Sequence, residues 1–159
     1  MIFVTVGSMF PFDRLIRAMD GWAARNAQEH IFAQIGDGSY LPQNMPYARM
    51  VTPSRFHEIC DETDIIVAHA GMGSVISAAE IGKPIILFPR HAAWKEHTTD
   101  HQLHTAGWLR DRPGVFVADA DEDLDLQIEN AKASVNDHQR LSPTAPAEFV
   151  NRIRHALAN

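Results

Sequence analysis

Residues 65–74, IIVAHAGMGS, carry a continuous apolar run directly into two glycines and a serine. A short run of consecutive apolar, mostly β-branched residues predicts a strand that is buried on both faces. The glycines predict a tight turn, and the apolar spacing beyond Ser74 predicts a helix to about residue 81. This order of strand, glycine turn and helix predicts an α/β fold.

The rest of the chain repeats this alternation. Further strands are predicted at residues 2–6, 30–35, 48–51, 85–88 and 114–118, and further helices at 15–23, 54–60, 96–109 and 121–135, with Ser54 as the cap of the second of these helices. The alternation predicts a Rossmann-like parallel sheet with helices on both faces. Residues 1–159 are predicted to form a single domain, in which residues 145–158 form a C-terminal helix.

Composition excludes several classes of protein. The chain has 159 residues, 45% apolar and 21% charged, which is typical of one soluble globular domain. Its formal net charge of -6 argues against a nucleic-acid-binding surface. The single cysteine, Cys60, has no partner for an intrachain disulfide, which favours a reducing compartment. No apolar run is long enough to cross a bilayer, and the first residues predict a strand. We therefore expect a cytoplasmic protein.

The glycine turn is the sharpest candidate site. Gly71 and Gly73 let the backbone approach a ligand, and the unpaired N–H groups of the following helix start attract anions. The hydroxyl of Ser74 adds a donor, so a diphosphate fits here. An ordinary turn with a serine cap is the alternative. The turn lacks the patterns of a Walker loop, a dinucleotide-binding loop and a nucleophile elbow, which disfavours dehydrogenases and α/β-hydrolases.

A second polar segment follows the strand at residues 85–88. Arg90 is suited to pair with a phosphate or a sugar carboxylate. Glu96, Asp100 and Gln102 offer hydrogen-bonding groups suited to sugar hydroxyls.

His97, His101 and His104 are spaced to share one helix face. A sugar-binding face, a metal site and simple solvated histidines are the three interpretations.

Together these segments resemble a known family. Residues 69–74 (HAGMGS), 82–84 (GKP), 89–90 (PR) and the stretch from 96 to 102 resemble the C-terminal domain of family-28 glycosyltransferases. Residues 4–8 (VTVGS) are similar to its single-domain branch, which includes the donor-binding subunit of the split N-acetylglucosaminyltransferase of dolichol-linked oligosaccharide synthesis. Within that branch the chain looks most like bacterial PssE/EpsE-type exopolysaccharide glycosyltransferase subunits. The resemblance extends to about residue 109.

The resemblance implies the donor-binding half of a GT-B fold, a UDP-sugar donor, and transfer that needs no metal or other cofactor. It also implies a membrane-anchored, PssD-like acceptor-binding subunit that recruits this chain to the inner face of the cytoplasmic membrane. The acceptor would be a polyprenyl-diphosphate-linked sugar of exopolysaccharide or capsule biosynthesis. The transferred sugar in the bacterial branch is commonly glucuronic acid or galactose.

Carried over by position, the resemblance assigns residues to parts of the donor. The diphosphate would lie between residues 7–8 and 71–74, the uracil near residues 52–53, and the sugar hydroxyls near Gln102. Many relatives carry a ribose-binding acid where this chain has Ser77, and Glu80 is the nearest acid. The full donor-binding set is Gly7, Ser8, Thr52, Pro53, His69, Gly71, Met72, Gly73, Ser74, Ser77, Glu80, Arg90, Asp100 and Gln102.

The expected reaction is an inverting displacement at the anomeric carbon by an acceptor hydroxyl. The catalytic base would be His97, Glu96 or His101, or a residue of the partner. Two other functions stay open: a non-catalytic nucleotide-sugar-binding subunit that activates another transferase, and a metal-binding or hydrolytic protein built on the histidine-rich helix. An obligate partner also predicts an exposed apolar patch.

Overall fold

A parallel sheet of six strands forms the centre of the computed structural model, which describes residues 1–136 and 141–144, together with Ala147, Asn151 and His155. Its strands are β1 (Ile2–Thr5), β2 (Ile31–Gln34), β3 (Tyr47–Ala48), β4 (Ile65–His69), β5 (Ile85–Phe88) and β6 (Val115–Val117). They lie in the order β3-β2-β1-β4-β5-β6, and every neighbouring pair is parallel. The predicted parallel sheet is therefore confirmed.

Helices cover both faces of the sheet. They are α1 (Asp13–Arg25), α2 (Pro53–Glu62), α3 (Met72–Glu80), α4 (His101–Leu109) and α5 (Leu124–Asn136), with short 3-10 turns at Ala92–Trp94 and Asp121–Asp123. The predicted C-terminal helix over residues 145–158 lies outside the described residues, apart from three isolated positions, and stays a prediction. None of the described helices is long and apolar enough to cross a membrane.

Alternation along the strands divides the core in two, because successive side chains of a strand point to opposite faces. In β4, Ile65 and Val67 pack in the cluster that includes apolar residues of α1 and α5. Ile66 and Ala68 pack in the opposite cluster, with apolar residues of α3 and α4. A strand buried on both sides must be apolar throughout, which explains the continuous run that marks β4 in the sequence.

Two predicted elements differ clearly in extent from those of the structure. The third strand was predicted at residues 48–51 but spans Tyr47–Ala48, because the chain turns after it to begin α2. The helix predicted at residues 96–109 begins only at His101. Before it, Lys95 takes a left-handed conformation (φ 59°), and the carboxylate of Glu96 accepts the N–H of His91 at 2.9 Å. These local interactions hold residues 95–100 outside the helix.

The cap of α2 was also predicted at the wrong residue. Thr52 is the N-cap, and its hydroxyl accepts the N–H of Arg55 at 3.3 Å. Ser54 lies inside the first turn, where its hydroxyl contacts that of Thr52 at 3.1 Å. Pro53 occupies the first helical position, where its missing N–H loses no hydrogen bond.

Thr52→Ala is expected to lower the free energy of unfolding by about 1 kcal/mol, because it leaves an N–H of the first turn without its acceptor. Ser54→Ala is the matched control and is expected to change it by less than ~0.5 kcal/mol. Urea denaturation of both variants measures the difference. Equal losses would contradict the assignment of Thr52 as the cap.

Candidate functional site

The strand order creates a crevice at the carboxyl ends of β1 and β4. These strands are neighbours, but the chain leaves β1 toward β2 and leaves β4 toward β5. In parallel sheets of this type, ligands bind where the connections diverge. A cavity of about 480 Å³ opens at this place, which is within the usual size of a small-molecule site.

The cavity brings together most of the residues that the sequence predicted for the site. Those that line it are Gly7, Ser8, His69, Gly71, Gly73, Ser74, Ser77, Arg90, His97, His101 and Gln102. Other predicted residues, all of them described, lie outside the lining: Thr52, Pro53, Met72, Glu80, Glu96 and Asp100.

The glycine turn presents the start of α3 to this cavity. Gly71 is the N-cap and has an extended conformation, and its carbonyl accepts the N–H groups of Ser74 (3.1 Å) and Val75 (3.3 Å). Among the described residues, the N–H groups of Met72 and Gly73 have no acceptor. A Cβ atom built on Gly73 would meet open space. This helix start therefore offers unpaired donors and room for an anion.

The imidazole of His69 separates the two glycine-containing walls of the cavity. A Cβ atom on Gly7 would lie 2.6 Å from Cε1 of His69, and a Cβ atom on Gly71 would overlap Nε2 of the same ring. Gly7 also has a positive φ of 76°, which disfavours any side chain, whereas the φ of Gly71 is negative (-90°) and is accessible to other residues. His69 thus sets the distance between the loop after β1 and the turn after β4.

His69 is neutral at physiological pH. Burial, followed by the positive charges of Arg90 and His97, lowers the pKa of its imidazole to about 4. Its Nδ1 atom is buried without a hydrogen bond of standard geometry among the described residues, although the backbone of Thr5 acts on the ring and favours its protonated form. His69 lines the cavity and, being neutral, offers a ligand no charge.

Arg90 is buried, with 1% of its surface exposed, and its guanidinium donates to four backbone carbonyls. The acceptors are the carbonyl oxygens of Val6 (2.9 Å), Phe10 (2.7 Å), Pro11 (2.7 Å) and Glu96 (3.2 Å). Burial lowers its pKa to about 10, so the group stays charged at neutral pH. In the structure its guanidinium binds the loop after β1 to the segment after β5, and its pairing with a phosphate or carboxylate of a ligand stays a prediction.

Two of the acidic residues predicted for the site, Glu96 and Asp100, have hydrogen-bond partners outside the cavity. The carboxylate of Glu96 forms a bidentate ion pair with the guanidinium of Arg14, with N···O distances of 2.7 and 3.0 Å. That of Asp100 accepts the N–H of Ala92 at 2.8 Å. Neither side chain lines the cavity, and both form hydrogen bonds within residues 91–100, so their contact with a ligand stays a prediction.

Two histidines of this segment, His97 and His101, line the cavity. His97 precedes α4, so the prediction that it shares one helix face with His101 and His104 is wrong. The rings of His97 and His101 nevertheless meet edge to face, with centroids 4.4 Å apart. Burial, followed by the charges of His101 and Arg90, lowers the pKa of His97. Its imidazole is therefore predominantly unprotonated near neutral pH.

The structure adds residues that the sequence analysis did not select. Thr5 and Gln34 are both buried and line the cavity at the ends of β1 and β2. The hydroxyl of Thr5 donates to Oε1 of Gln34 (3.1 Å) and accepts the N–H of Gly7 (3.1 Å). In the sequence, Thr5 and Gln34 could have been recognised as polar residues near the end of two apolar runs. Phe56 also lines the cavity, one turn beyond the predicted Thr52 and Pro53.

No group of three or more His, Cys, Asp or Glu side chains in the described part of the chain is arranged to hold a metal ion. His104, the third histidine of the series, does not line the cavity.

Comparison with known proteins identifies the family. The model of the glycosyltransferase family 28 C-terminal domain matches residues 1–111, more than half of the chain. The chain belongs to this family. A search of curated proteins found no match. The family-28 membership agrees with the Rossmann-like architecture, which is that of GT-B glycosyltransferase C-terminal domains.

Solved structures share the fold of this family-28 domain. The glycotransferase of kitacinnamycin is 16% identical with a TM-score of 0.61, and the alignment covers 95% of this chain and 42% of that one. MurG of Acinetobacter baumannii is 19% identical with a TM-score of 0.59, covering 96% and 49%. ALG13, solved by NMR, is 16% identical with a TM-score of 0.58, covering 96% and 93%. The chain thus spans less than half of the first two proteins and nearly all of the third.

Gly71→Ala is expected to destabilise the fold by about 1–3 kcal/mol, because the new methyl group displaces the ring of His69. In a His69→Ala background most of this loss should disappear. Gly7→Ala should keep a loss of about 1–2 kcal/mol in that background, because its positive φ remains. Thermal or urea unfolding of the single and double variants gives these differences. A loss for Gly71→Ala that does not depend on His69 would contradict the spacer role.

His69 should also make stability depend on pH. The folded pKa of about 4 lies below the ordinary 6.5, so only the unfolded chain takes up the proton between these values. Stability is therefore unaffected above about pH 7 and falls by about 3 kcal/mol as the pH decreases from 6.5 to 4. Urea denaturation over this range compares wild type with His69→Asn, which should lack this component. Parallel pH profiles would contradict a neutral, buried His69.

Proposed function

We propose that this chain is the UDP-sugar-binding, catalytic subunit of a two-component inverting glycosyltransferase. The observation that carries the proposal is the cavity at the switch point of a family-28 domain, which is lined by Gly71, Gly73 and Ser74 at the start of α3, where N–H groups have no acceptor among the described residues. A diphosphate is matched by such donors and by the partial positive charge of a helix N-terminus. The neutral His69 and the hydroxyl of Ser74 add uncharged polar groups on the same wall.

The chemistry follows from this placement. An acceptor hydroxyl attacks the anomeric carbon of the donor sugar as the bond to the diphosphate oxygen breaks, and UDP leaves with the bonding electrons. The donors at the start of α3 stabilise the negative charge that develops on the departing diphosphate. The hydroxyl proton must pass to a base. His97 is the best-placed candidate of this chain, with His101 beside it, because it lines the cavity and its lowered pKa keeps it unprotonated.

A partner that supplies the acceptor half is part of the proposal. The chain spans under half of the MurG and kitacinnamycin enzymes it resembles in fold. Apolar side chains are exposed beside the cavity, with Met9 at 81% and Phe10 at 39% on the loop after β1. A membrane-anchored partner would cover this rim and bring a polyprenyl-diphosphate-linked acceptor of exopolysaccharide or capsule synthesis. A hexose or a hexuronic acid, such as galactose or glucuronic acid, is the proposed transferred group.

One observation favours the alternative of a non-catalytic subunit that binds the nucleotide sugar and activates another transferase. Glu96, one of the predicted bases, is held by Arg14 outside the cavity. Among the described lining residues there is no carboxylate, and in this alternative the partner, not His97 or His101, supplies the base.

Gly73→Ala tests the donor site directly. Its methyl group enters open space in the unliganded protein, so folding should be retained, while the approach of a diphosphate to the helix start is blocked. Calorimetric titration should show UDP affinity reduced about tenfold or more, in line with loss of a charge-assisted hydrogen bond. Gly107→Ala is the matched control, since it also adds a methyl group in open space on a helix, far along the chain from the turn.

Equal UDP affinity of the Gly73→Ala and Gly107→Ala proteins would place the donor elsewhere. Absence of UDP binding by the folded wild-type chain would contradict the proposal that this chain forms the donor site by itself.

A further inference from the structure

Arg14, the second residue of α1, joins the start of this helix to the segment after β5. Its guanidinium forms the bidentate ion pair with Glu96 and donates a further hydrogen bond to the carbonyl of Pro89 at 2.7 Å. Its central carbon atom lies 4.2 Å from the ring centroid of Phe88 and 4.7 Å from that of Trp94. A guanidinium that is bidentate and lies over aromatic rings has few alternative positions, so it is a rigid attachment point.

Glu96 is the residue through which this attachment reaches the cavity. Its carboxylate accepts from Arg14 and from the N–H of His91, at 2.9 Å in the latter case, while its carbonyl accepts from Arg90 at 3.2 Å. The side chain and the backbone of Glu96 are therefore fixed by two arginines from different parts of the chain. His97 follows directly, and its own backbone begins at this fixed residue.

The imidazole of His97 lies where three elements meet. Its ring contacts that of Phe10, from the loop after β1, and that of His101, from α4, both edge to face, with centroids 5.2 and 4.4 Å apart. Its Nδ1 atom accepts the N–H of Thr98 at 2.9 Å, which ties the orientation of the ring to the adjacent backbone. His97 and His101 both line the cavity, whereas Arg14 does not. A displacement of the backbone at residue 96 should therefore move an imidazole of the site.

We infer that Arg14 is a positioning residue for the proposed reaction: through Glu96 it holds the imidazole of His97 at the cavity and against His101. The inference rests on the proposed function, in which one of these imidazoles accepts the proton of the attacking hydroxyl. A displacement of about 1 Å in a reacting group can cost about a hundredfold in rate, even when its cause lies outside the site. Arg14 therefore contributes to the reaction without contacting a ligand.

Arg14→Met tests this role by NMR of the folded chain. Methionine keeps an apolar stem but loses every hydrogen bond of the guanidinium. We expect the ring-to-ring nuclear Overhauser contacts of His97 with Phe10 and His101, present in the wild-type chain, to disappear. The pKa of His97 should also rise toward the ordinary value of about 6.5, because burial, His101 and Arg90 lower it only while the ring keeps this position.

Arg25→Met is the matched control, because it removes an arginine from the other end of α1, where the partner is Asp125 at 3.2 Å. It should leave both the ring contacts and the pKa of His97 unchanged. The inference is overturned if the wild-type chain lacks these ring contacts, or if a folded Arg14→Met protein keeps them.

Glu96→Gln separates positioning from a direct effect of charge, and it is the milder change should Arg14→Met not fold. Loss of a positive charge by itself raises the pKa of a nearby imidazole, whereas loss of a negative charge lowers it. If Arg14 acts through Glu96, both variants raise the pKa of His97, and the double variant raises it no further. Opposite shifts for the two single variants would overturn the inference. Asp121→Asn is the control, since this carboxylate lies 3.9 Å from the same guanidinium and should leave His97 unchanged.

Calorimetric titration with UDP distinguishes failure of this inference from failure of the proposed function. Arg14→Met should keep a UDP affinity within about twofold of wild type, because the diphosphate is proposed to bind the glycine turn after β4 and Arg14 lies outside the lining. An affinity reduced as far as that of Gly73→Ala would assign Arg14 to donor binding and overturn the inference. Absence of UDP binding by the folded wild-type chain would contradict the proposed function, while the NMR contacts of His97 would still decide the role of Arg14.

Discussion

The buried guanidinium of Arg90 is the interaction on which the site depends. A buried charge is tolerated only when its hydrogen-bonding groups are satisfied, and here four carbonyl oxygens accept from it. Three of these carbonyls belong to residues 6–11 and the fourth to Glu96, so one side chain from the end of β5 fixes two separate loops. Both loops contribute residues to the cavity. Without this side chain, neither loop would have the same set of hydrogen bonds.

A second constraint, the ring of His69, acts on the other side of the cavity. It occupies the space that side chains at Gly7 and Gly71 would need. A histidine at position 69 therefore requires glycine at both of these positions. The same crowding removes water from the ring and keeps it neutral. The two constraints produce a site whose groups near the glycine turn are preorganised and largely uncharged.

Such a site suits a ligand that carries its own negative charge. Backbone N–H groups and a helix N-terminus bind a diphosphate without the reorganisation that long charged side chains would need. The charge of Arg90 contributes to the local field while its hydrogen bonds serve the loops. The nearby acids are held away from the cavity, Glu96 by Arg14 and Asp100 by the N–H of Ala92, which avoids repulsion of an anion. The electrostatics and the shape of the cavity therefore both favour an anionic ligand such as a diphosphate.

The sequence by itself determined the fold class and the position of the glycine turn. The continuous apolar runs of β4 and β5, and the glycines after β4, are local signals: burial on both faces requires the first, and close backbone approach the second. Local patterns also placed Gln102 and His101 near the site, and the cavity includes both.

Only the tertiary structure decided what the charged and polar side chains do. Arg90, Glu96 and Gln34 have partners that lie 5 to 84 positions away along the chain, and no periodicity of the chain reports such contacts. The sequence also placed residues 96–100 in a helix, although the left-handed conformation of Lys95 and the hydrogen bond from the N–H of His91 to Glu96 hold them outside it. Periodicity reports which face of an element is buried, whereas hydrogen bonds between distant loops depend on how the elements meet in space.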